Sequence, residues 1–487
     1  MSESRVWRLG PAARWLDRTS LAGGAPFRVV TLTPAGAQAV RDLIGTSVGA
    51  YDPEVTQLFQ RLRAAGLLLS PAPKAADHVE ATVVIPARST VGAVALLLDR
   101  IGPDISVIVV DDGSLEPLAV LADDRVNVRV LRHPVSRGPG AARNTGAAQV
   151  STPWIAFLDV DTEPDPRWIE QLKGRIDDDA AAVGAGTPVV LAAPRLYPLE
   201  GSGWGGWFEH RVCALDLGGS PSEVGIGRRV SYVPSAAMLV DAVAFRRCRG
   251  FNEDMQVGED VDLVWRMAEF GRVSYWPDVR VGHQPRGSLR AALVRRAEYG
   301  TSAADLSRKH PGSLRHVDVS VLCFCPWVLG VLVHPLLGVA AAGLMTAIAP
   351  MMMPNLSSAN ARKLALQTHL HAFGSLGRWL VRPMAPGTIL LALAVPAVRR
   401  RLGLAVLCGL AQRIGAEAQS TRDETAGALS AVRSTGEVLL ARSLDDLAYS
   451  AGVWMGVIRR RTVQPVLPRI RGLSLPHLVL LRGGRRG

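Results

Sequence analysis

From residue 81 onward, short and wholly apolar runs alternate with longer stretches in which apolar positions recur at helical spacing. Residues 82–85, 106–110, 128–131 and 154–158 have the length and β-branched content of buried strands. Between or after them, 90–100, 140–149 and 166–176 read as amphipathic helices. This alternation predicts an α/β domain with a parallel sheet covered by helices. Ligands in such a domain bind beyond the carboxyl ends of the strands.

The flanks differ from this centre. Ahead of it, a strand pair around Phe27-Arg28-Val29-Val30, a turn at Leu32-Thr33-Pro34 and helices over 35–44 and 55–65 predict a small module with a β-wing. Pro71 and Pro73 then mark a linker. Beyond about Val317 the pattern loses its charges. Residues 319–350 form an apolar stretch long enough to cross a bilayer, although His334 and Pro335 interrupt it. Shorter apolar stretches follow at 388–398, 402–410 and 449–458. They predict membrane-associated helices, and a soluble helical subdomain is the alternative.

Composition narrows the choices. A chain of 487 residues holds two or three domains. Its formal charge of +12 suits an anionic partner. The arginine clusters 399–401, 459–461 and 469–486 all lie beside apolar stretches near the C-terminus, which favours an anionic membrane surface over nucleic acid. The first ten residues carry no apolar core of a signal peptide. Five cysteines without framework spacing, with Cys323 and Cys325 in an apolar run, predict buried, reduced thiols. The expected location is the cytoplasmic face of the cell membrane, peripheral or with few spans.

Candidate chemistry gathers at the predicted strand ends. Phe157-Leu158-Asp159-Val160-Asp161 ends a strand in two carboxylates one residue apart, and alternation would turn both to one side. Like charges so close suit a hard divalent cation, Mn or Mg, whose other ligands come from a diphosphate. A solvated turn is the competing reading. In Val109-Val110-Asp111-Asp112-Gly113-Ser114, the carboxylates can accept hydrogen bonds from a base or ribose, or cap a turn. Ser136-Arg137-Gly138-Pro139-Gly140-Ala141-Ala142-Arg143-Asn144 opens a helix whose free N–H groups, with Arg143, can hold phosphate. Plain α/β connections also use such starts. Gly258-Glu259-Asp260 opens another helix, where acids complement the dipole. Alternatively Asp260, beside Glu259, is a general base that takes a proton from an acceptor hydroxyl. His283, after a strand at 279–281, can complete the metal sphere.

The ordered set of these motifs between Ala81 and His310 resembles family 2 glycosyltransferases of the GT-A fold. The resemblance implies a Rossmann-like mixed sheet and a nucleotide-diphosphate sugar donor. It puts Asp111 and Asp112 at the base, Pro86, Arg143 and Asp159 on the donor, Asp161 and His283 on the metal, and Asp260 with Glu259 at the catalytic position. Pro86-Ala87-Arg88-Ser89 departs from the many members that carry Asn or an acid after the arginine. The Gln-x-x-Arg-Trp element of processive synthases is broken, because Ser375 precedes Arg378-Trp379, so transfer of one or a few sugars is expected. The first module resembles small peptide-recognition domains of ribosomal-peptide pathways, with winged-helix modules sharing the outline. It lacks a dense basic helix, so no nucleic-acid partner is expected. Fused in this order, the parts resemble the mycofactocin-pathway transferases. That family is taken to add β-1,4-linked glucose to pre-mycofactocin, a peptide-derived acceptor. The implied domains are 1–75, 80–315 and 318–487, the last helical and membrane-associated. A transferase acting on a lipid phosphate or envelope glycan keeps the same chemistry with another acceptor.

Overall fold

The alternating pattern after residue 81 folds into one nine-stranded mixed sheet with helices packed against it. The computed structural model describes residues 6–472 except 11–12, 25–26, 47–52, 184–186, 315, 355 and 421–427. The distal part of the arginine-rich tail lies outside the described residues. The chain divides into two units, one running to Ser202 and resuming over Cys213–Arg286, the other containing Gly203–Val212 and Gly287–Leu478.

The first unit begins with the small module. Strands β1 (Arg8–Leu9) and β5 (Leu68–Leu69) pair antiparallel, and β2 (Arg14–Trp15), β3 (Ser20–Gly23) and β4 (Arg28–Thr31) form an antiparallel sheet. Helices α1 (Pro34–Leu43) and α2 (Pro53–Ala64) lie between β4 and β5. Thr33 starts α1 by accepting the Gly36 N–H at 3.1 Å, and Pro34 occupies the first turn, where its missing donor costs nothing. The module has its own apolar core, including Leu21, Val30, Val40, Phe59, Leu62 and Leu67. It is tied to α5 (Trp168–Val183) by Arg63, whose Nη2 lies 2.8 Å from Asp178 Oδ2.

The sheet strands are β6 (Ala81–Ala87), β7 (Ser106–Asp112), β8 (Val128–His133), β9 (Trp154–Leu158), β10 (Thr162–Pro164), β11 (Val189–Pro198), β12 (Ser222–Val224), β13 (Ala237–Asp241) and β14 (Arg272–His283). Parallel pairing holds for β9-β6-β7-β8, as the alternation predicted. Beyond β9 the sheet becomes mixed, as the family resemblance implied. β13 runs antiparallel between β9 and β11, and β10 and β12 pair antiparallel with β14. β11 and β14 are parallel. An apolar core packs on the sheet, with Val83, Ile85, Val109, Ala156, Leu158 and Leu239 all buried.

Helices α3 (Val91–Ile101), α4 (Pro139–Ala147), α7 (Ala242–Arg247) and α8 (Glu259–Met267) complete the unit. α4 lies directly on the sheet. A Cβ at Gly146 would collide with Val84 and stand 3.1 Å from Val110 Cγ2. Gly146→Val is therefore expected to destabilise the protein by about 1–3 kcal/mol, read as a lowered urea midpoint at unchanged slope.

In the second unit, α6 (Gly203–Arg211) and α9 (Leu289–Lys309) precede β15 (Asp318–Ser320), α10 (Val321–Leu332), α11 (Pro335–Met352), α12 (Ser358–Val381), α13 (Ala385–Ala394), α14 (Pro396–Ser420), α15 (Ala428–Arg460) and β16 (Arg469–Arg471). The single apolar stretch expected over 319–350 is split. His334 leaves helical geometry and its Nδ1 accepts the Leu336 N–H at 3.3 Å, while Pro335 begins the next helix. Among the described residues, one helix, α11, is long and apolar enough to cross a membrane. The expectation of buried thiols holds for Cys323 and Cys248, whereas Cys325 and Cys408 are exposed. Two residues apart on α10, Cys323 and Cys325 point to opposite sides, because successive residues turn by about 100°.

Candidate active site

A cleft of about 660 Å³ opens at the carboxyl ends of β6, β7 and β9. Pro86, Arg88, Asp112, Arg143, Asp159 and Asp161 line it, and one face of α3 (Ala93, Leu96, Leu97 and Arg100) forms a wall. The i, i+3, i+4, i+7 spacing of those four residues puts them on one helical stripe.

The two carboxylates that end β7 are spent on loop geometry. Asp111 is fully buried and does not line the cleft. Its Oδ1 accepts the Ser114 N–H at 2.8 Å, its Oδ2 accepts the Leu118 N–H at 3.2 Å, and the Arg132 guanidinium pairs with it. Burial alone would raise its pKa, but these donors hold it below the usual carboxylate range. Asp112 reaches the cleft with all its acceptor positions engaged. Oδ1 takes the Arg137 N–H at 2.8 Å and His133 Nδ1 at 2.7 Å, and Oδ2 takes the Ser136 hydroxyl at 2.7 Å and the Gly138 N–H at 2.9 Å. Burial again opposes ionisation, and the four donors outweigh it and lower the pKa. Asp112 thus fixes residues 133–138, the segment that delivers α4. Gly138, at φ +94°, takes a conformation that favours glycine.

Arg143, on α4, is the centre of the site. Its side chain is 3 % exposed, with Nη2 2.6 Å from Asp159 Oδ1 and Nη1 3.3 Å from Glu259 Oε1. Burial disfavours the cation, but Asp159 and Glu259 reverse this and raise its pKa. Glu259 and Asp260 open α8, and Gly258 before them is left-handed at φ +81°. Neither carboxylate lines the cleft; Glu259 is buried against Arg143, and Asp260 Oδ1 accepts the Val261 N–H at 2.8 Å. Enclosure is the largest influence on both, raising the pKa of Asp260 and, helped by the neighbouring Asp260 charge, that of Glu259. Arg143 therefore connects Asp159 in the cleft to the acids that begin α8.

Strand alternation does not bring Asp159 and Asp161 together. β9 stops at Leu158, and the pair occupies a turn closed by the Thr162 hydroxyl on the Asp159 carbonyl at 2.6 Å. Asp161 faces His283, whose Nε2 lies 3.3 Å from its Oδ2, because β10 pairs Thr162 with His283. Burial is the largest influence and opposes ionisation of Asp161, but the His283 contact and the Arg286 charge together outweigh it and lower its pKa. Asp159 behaves oppositely: enclosure and the adjacent Asp161 charge raise its pKa against the pull of Arg143. No group of three His, Cys, Asp or Glu side chains arranged to hold a metal occurs among the described residues. Two oxygen-bearing carboxylates do fit a hard cation whose remaining ligands arrive with a diphosphate and water, as Mg sites commonly do.

Several contributors take their role only from the fold, including Asn144, which closes the motif 136–144. Asn144 Oδ1 accepts the Phe251 N–H at 2.8 Å, and its Nδ2 donates to the Phe251 carbonyl at 2.9 Å and to Glu253 Oε1 at 3.0 Å. This bonds α4 to the loop preceding α8. Arg100 pairs with Glu163, which also accepts Gln284 Nε2 at 2.9 Å, joining three separate elements at the cleft edge. His133 is readable only once β8 is seen to lie beside β7.

The sequence model described as glycosyl transferase family 2 matches residues 83–215. The pre-mycofactocin glycosyltransferase of Mycobacterium tuberculosis, in strains CDC 1551 and H37Rv, is 34% identical over 478 residues, covering 93% of this chain and 95% of that protein. The succinoglycan biosynthesis protein ExoO of Rhizobium meliloti is 34% identical over 118 residues, covering 23% of this chain and 34% of its own length. Among solved structures, the mannosyltransferase PcManGT from Pyrobaculum calidifontis, in complex with GDP-Man and Mn2+, is 18% identical with a TM-score of 0.36, covering 73% of this chain and 90% of that one. Near-complete coverage at this identity, with the family match over the strands and turns that build the cleft, shows that the chain is a glycosyltransferase belonging to family 2, alongside the pre-mycofactocin glycosyltransferase of Mycobacterium tuberculosis.

Proposed function

We propose that the protein moves a hexose, as β-1,4-linked glucose, from a nucleotide-diphosphate sugar onto pre-mycofactocin, with inversion at the anomeric carbon. The observation that carries this reading is the Arg143 link between Asp159 in the cleft and the Glu259-Asp260 pair at the start of α8. The acceptor follows from the full-length relative.

In the proposed step the acceptor hydroxyl oxygen bonds to the anomeric carbon while the bond from that carbon to the diphosphate oxygen breaks. The hydroxyl proton passes to Asp260, and the nucleoside diphosphate leaves. A divalent cation, Mn or Mg, held by Asp161 with His283, beside the donor-facing Asp159, would neutralise the departing diphosphate when bound. Arg143 favours the ionised form of Asp159 and orients it. Pro86 and the Asp112-held segment border the donor. Asp111 keeps the β7 turn in shape and acts through it. We also propose that residues 1–75 recognise the peptide-derived acceptor, that 80–315 form the transferase, and that 318–487 hold the protein against the cytoplasmic face of an anionic membrane. The separate core of the first module supports the first boundary.

Mass spectrometry of products from the purified protein, pre-mycofactocin and each candidate nucleotide sugar tests the assignment. Hexose-spaced products with UDP-glucose are expected, and no addition to pre-mycofactocin from any donor would overturn it. Asp161→Asn is expected to lower cation-dependent transfer by at least roughly 100-fold and raise the Mn concentration for half-activity; His283→Ala should cost roughly 10-fold. Full cation-dependent transfer by Asp161→Asn would remove the metal assignment.

A further inference from the structure

The second unit exposes apolar surface on a scale unusual for a water-facing protein. On α11 only Gly338 and Ala349 are buried, while Leu336 is 70 % and Met351 82 % exposed. On α13, Ile389, Leu390 and Leu393 are exposed, and Leu404 and Leu407 extend the exposed apolar surface onto α14. Scattered exposed leucines are ordinary; runs of them on successive helices mark an interaction surface.

Charge identifies the partner. From Val319 to Ala416 the sequence contains no Asp or Glu, yet it carries eight cations: Arg362, Lys363, Arg378, Arg382, Arg399, Arg400, Arg401 and Arg413. Some serve the fold: Arg378 holds Ser375 and Gln412, Arg382 pairs with Asp445 and Asp446, and Arg401 caps α10 through the Val333 carbonyl at 2.6 Å. Arg362, Lys363, Arg399 and Arg400 are exposed. Arg362 and Lys363 follow the end of α11, and Arg399 and Arg400 follow the end of α13, so cations flank the two most exposed apolar helices. A protein partner gains nothing from the exclusion of every carboxylate over this length, whereas an anionic lipid surface repels each one.

Length decides how deep the contact goes. At about 1.5 Å per residue, the 12 residues of α10 and 10 of α13 give roughly 18 and 15 Å, half of a hydrocarbon core of about 30 Å. α11, with 18 residues, could cross alone. However, α10 folds back on it with Gly330 and Gly338 in close backbone approach, leaving only two residues, Val333 and His334, to reverse the chain. A spanning α11 paired with so short a partner would put the polar ends of α10 in mid-bilayer without satisfaction.

We propose that α10–α14 form a monotopic platform that seats the second unit in one leaflet of an anionic bilayer, with the apolar faces of α11 and α13 among the acyl chains and Arg362, Lys363, Arg399 and Arg400 at the phosphate level. This rests on the membrane reading above and adds the mode of insertion. The platform draws affinity from apolar burial and from cations together.

The test is flotation of the full-length protein with vesicles of phosphatidylcholine, with or without phosphatidylglycerol. Wild type should float with the anionic vesicles, stay bound in high salt and show no protease-protected fragment across α11. Arg399→Ser with Arg400→Ser should lower the partition coefficient on anionic vesicles by roughly 10- to 30-fold and leave phosphatidylcholine binding unchanged. Leu336→Asp with Leu390→Asp should lower binding to both by at least roughly 10-fold. Transfer to soluble acceptor reports folding of both variants, with Leu336→Ser and Leu390→Ser as the milder pair. Failure of wild type to float sinks the membrane reading itself. Flotation with a protease-protected fragment around α11 whose two ends lie on opposite sides of sealed vesicles overturns the one-leaflet mode alone. A dimer in sedimentation that the aspartate pair dissociates, without vesicle binding, assigns the face to a second copy.

Discussion

Replacing Asp260 by Asn should lower kcat by roughly a thousandfold, the scale of a lost general base, while donor binding measured by calorimetry stays unchanged. The substitution removes the proton acceptor and keeps the shape, including an oxygen able to accept the Val261 N–H. Enclosure raises the pKa of Asp260 above the usual carboxylate range. A base works only when ionised, so transfer should fall as pH drops through that raised pKa. The acid limb of kcat against pH should therefore lie above where an exposed aspartate would put it. Asp260→Glu should keep an acid limb on a reduced rate. Unimpaired turnover by Asp260→Asn would assign the proton to another group.

Arg143→Met should destabilise the folded protein by about 3–5 kcal/mol, because it strands two carboxylates that share one buried cation. Denaturant titration reads the loss. A control separates charge from packing: combining Arg143→Met with Glu259→Gln and Asp159→Asn removes the stranded charges and should recover part of the stability. The triple variant should remain inactive. A single variant as stable as wild type would mean that Glu259 and Asp159 take up protons at little cost without their partner.

Much of this arrangement could be read before the fold was known, for identifiable reasons. Periodicity located β6, β7, β8 and β9 because parallel central strands are buried on both faces and appear as continuous apolar runs. The antiparallel half was illegible, since β10 and β12 are three residues each and β13 follows a long irregular segment. Of the residues named from compact motifs, the structure lines the cleft with Asp112, Arg143, Asp159 and Asp161 and puts Asp260 at the start of α8. Their division of labour was not legible. Nothing local distinguishes Asp111, sealed in its loop by Arg132, from Asp112 at the cleft, because the deciding partner sits 21 residues away. Asn144 and Glu253 meet across 109 residues and became visible only in three dimensions. The split at His334-Pro335 was present in the sequence as a helix breaker, but its outcome depended on how α10 folded back.

The bonds made by two consecutive residues of α4, Arg143 toward Asp159 and Glu259 and Asn144 toward Phe251 and Glu253, reach beyond the reaction itself. They give the transferase a fixed internal datum. If the opening module receives the acceptor as proposed, it can diverge in sequence and change which acceptor is received without retuning the distance between leaving group and the proposed base. Divergence within α4 has no such freedom, so new acceptor preferences should arise by changes around this helix.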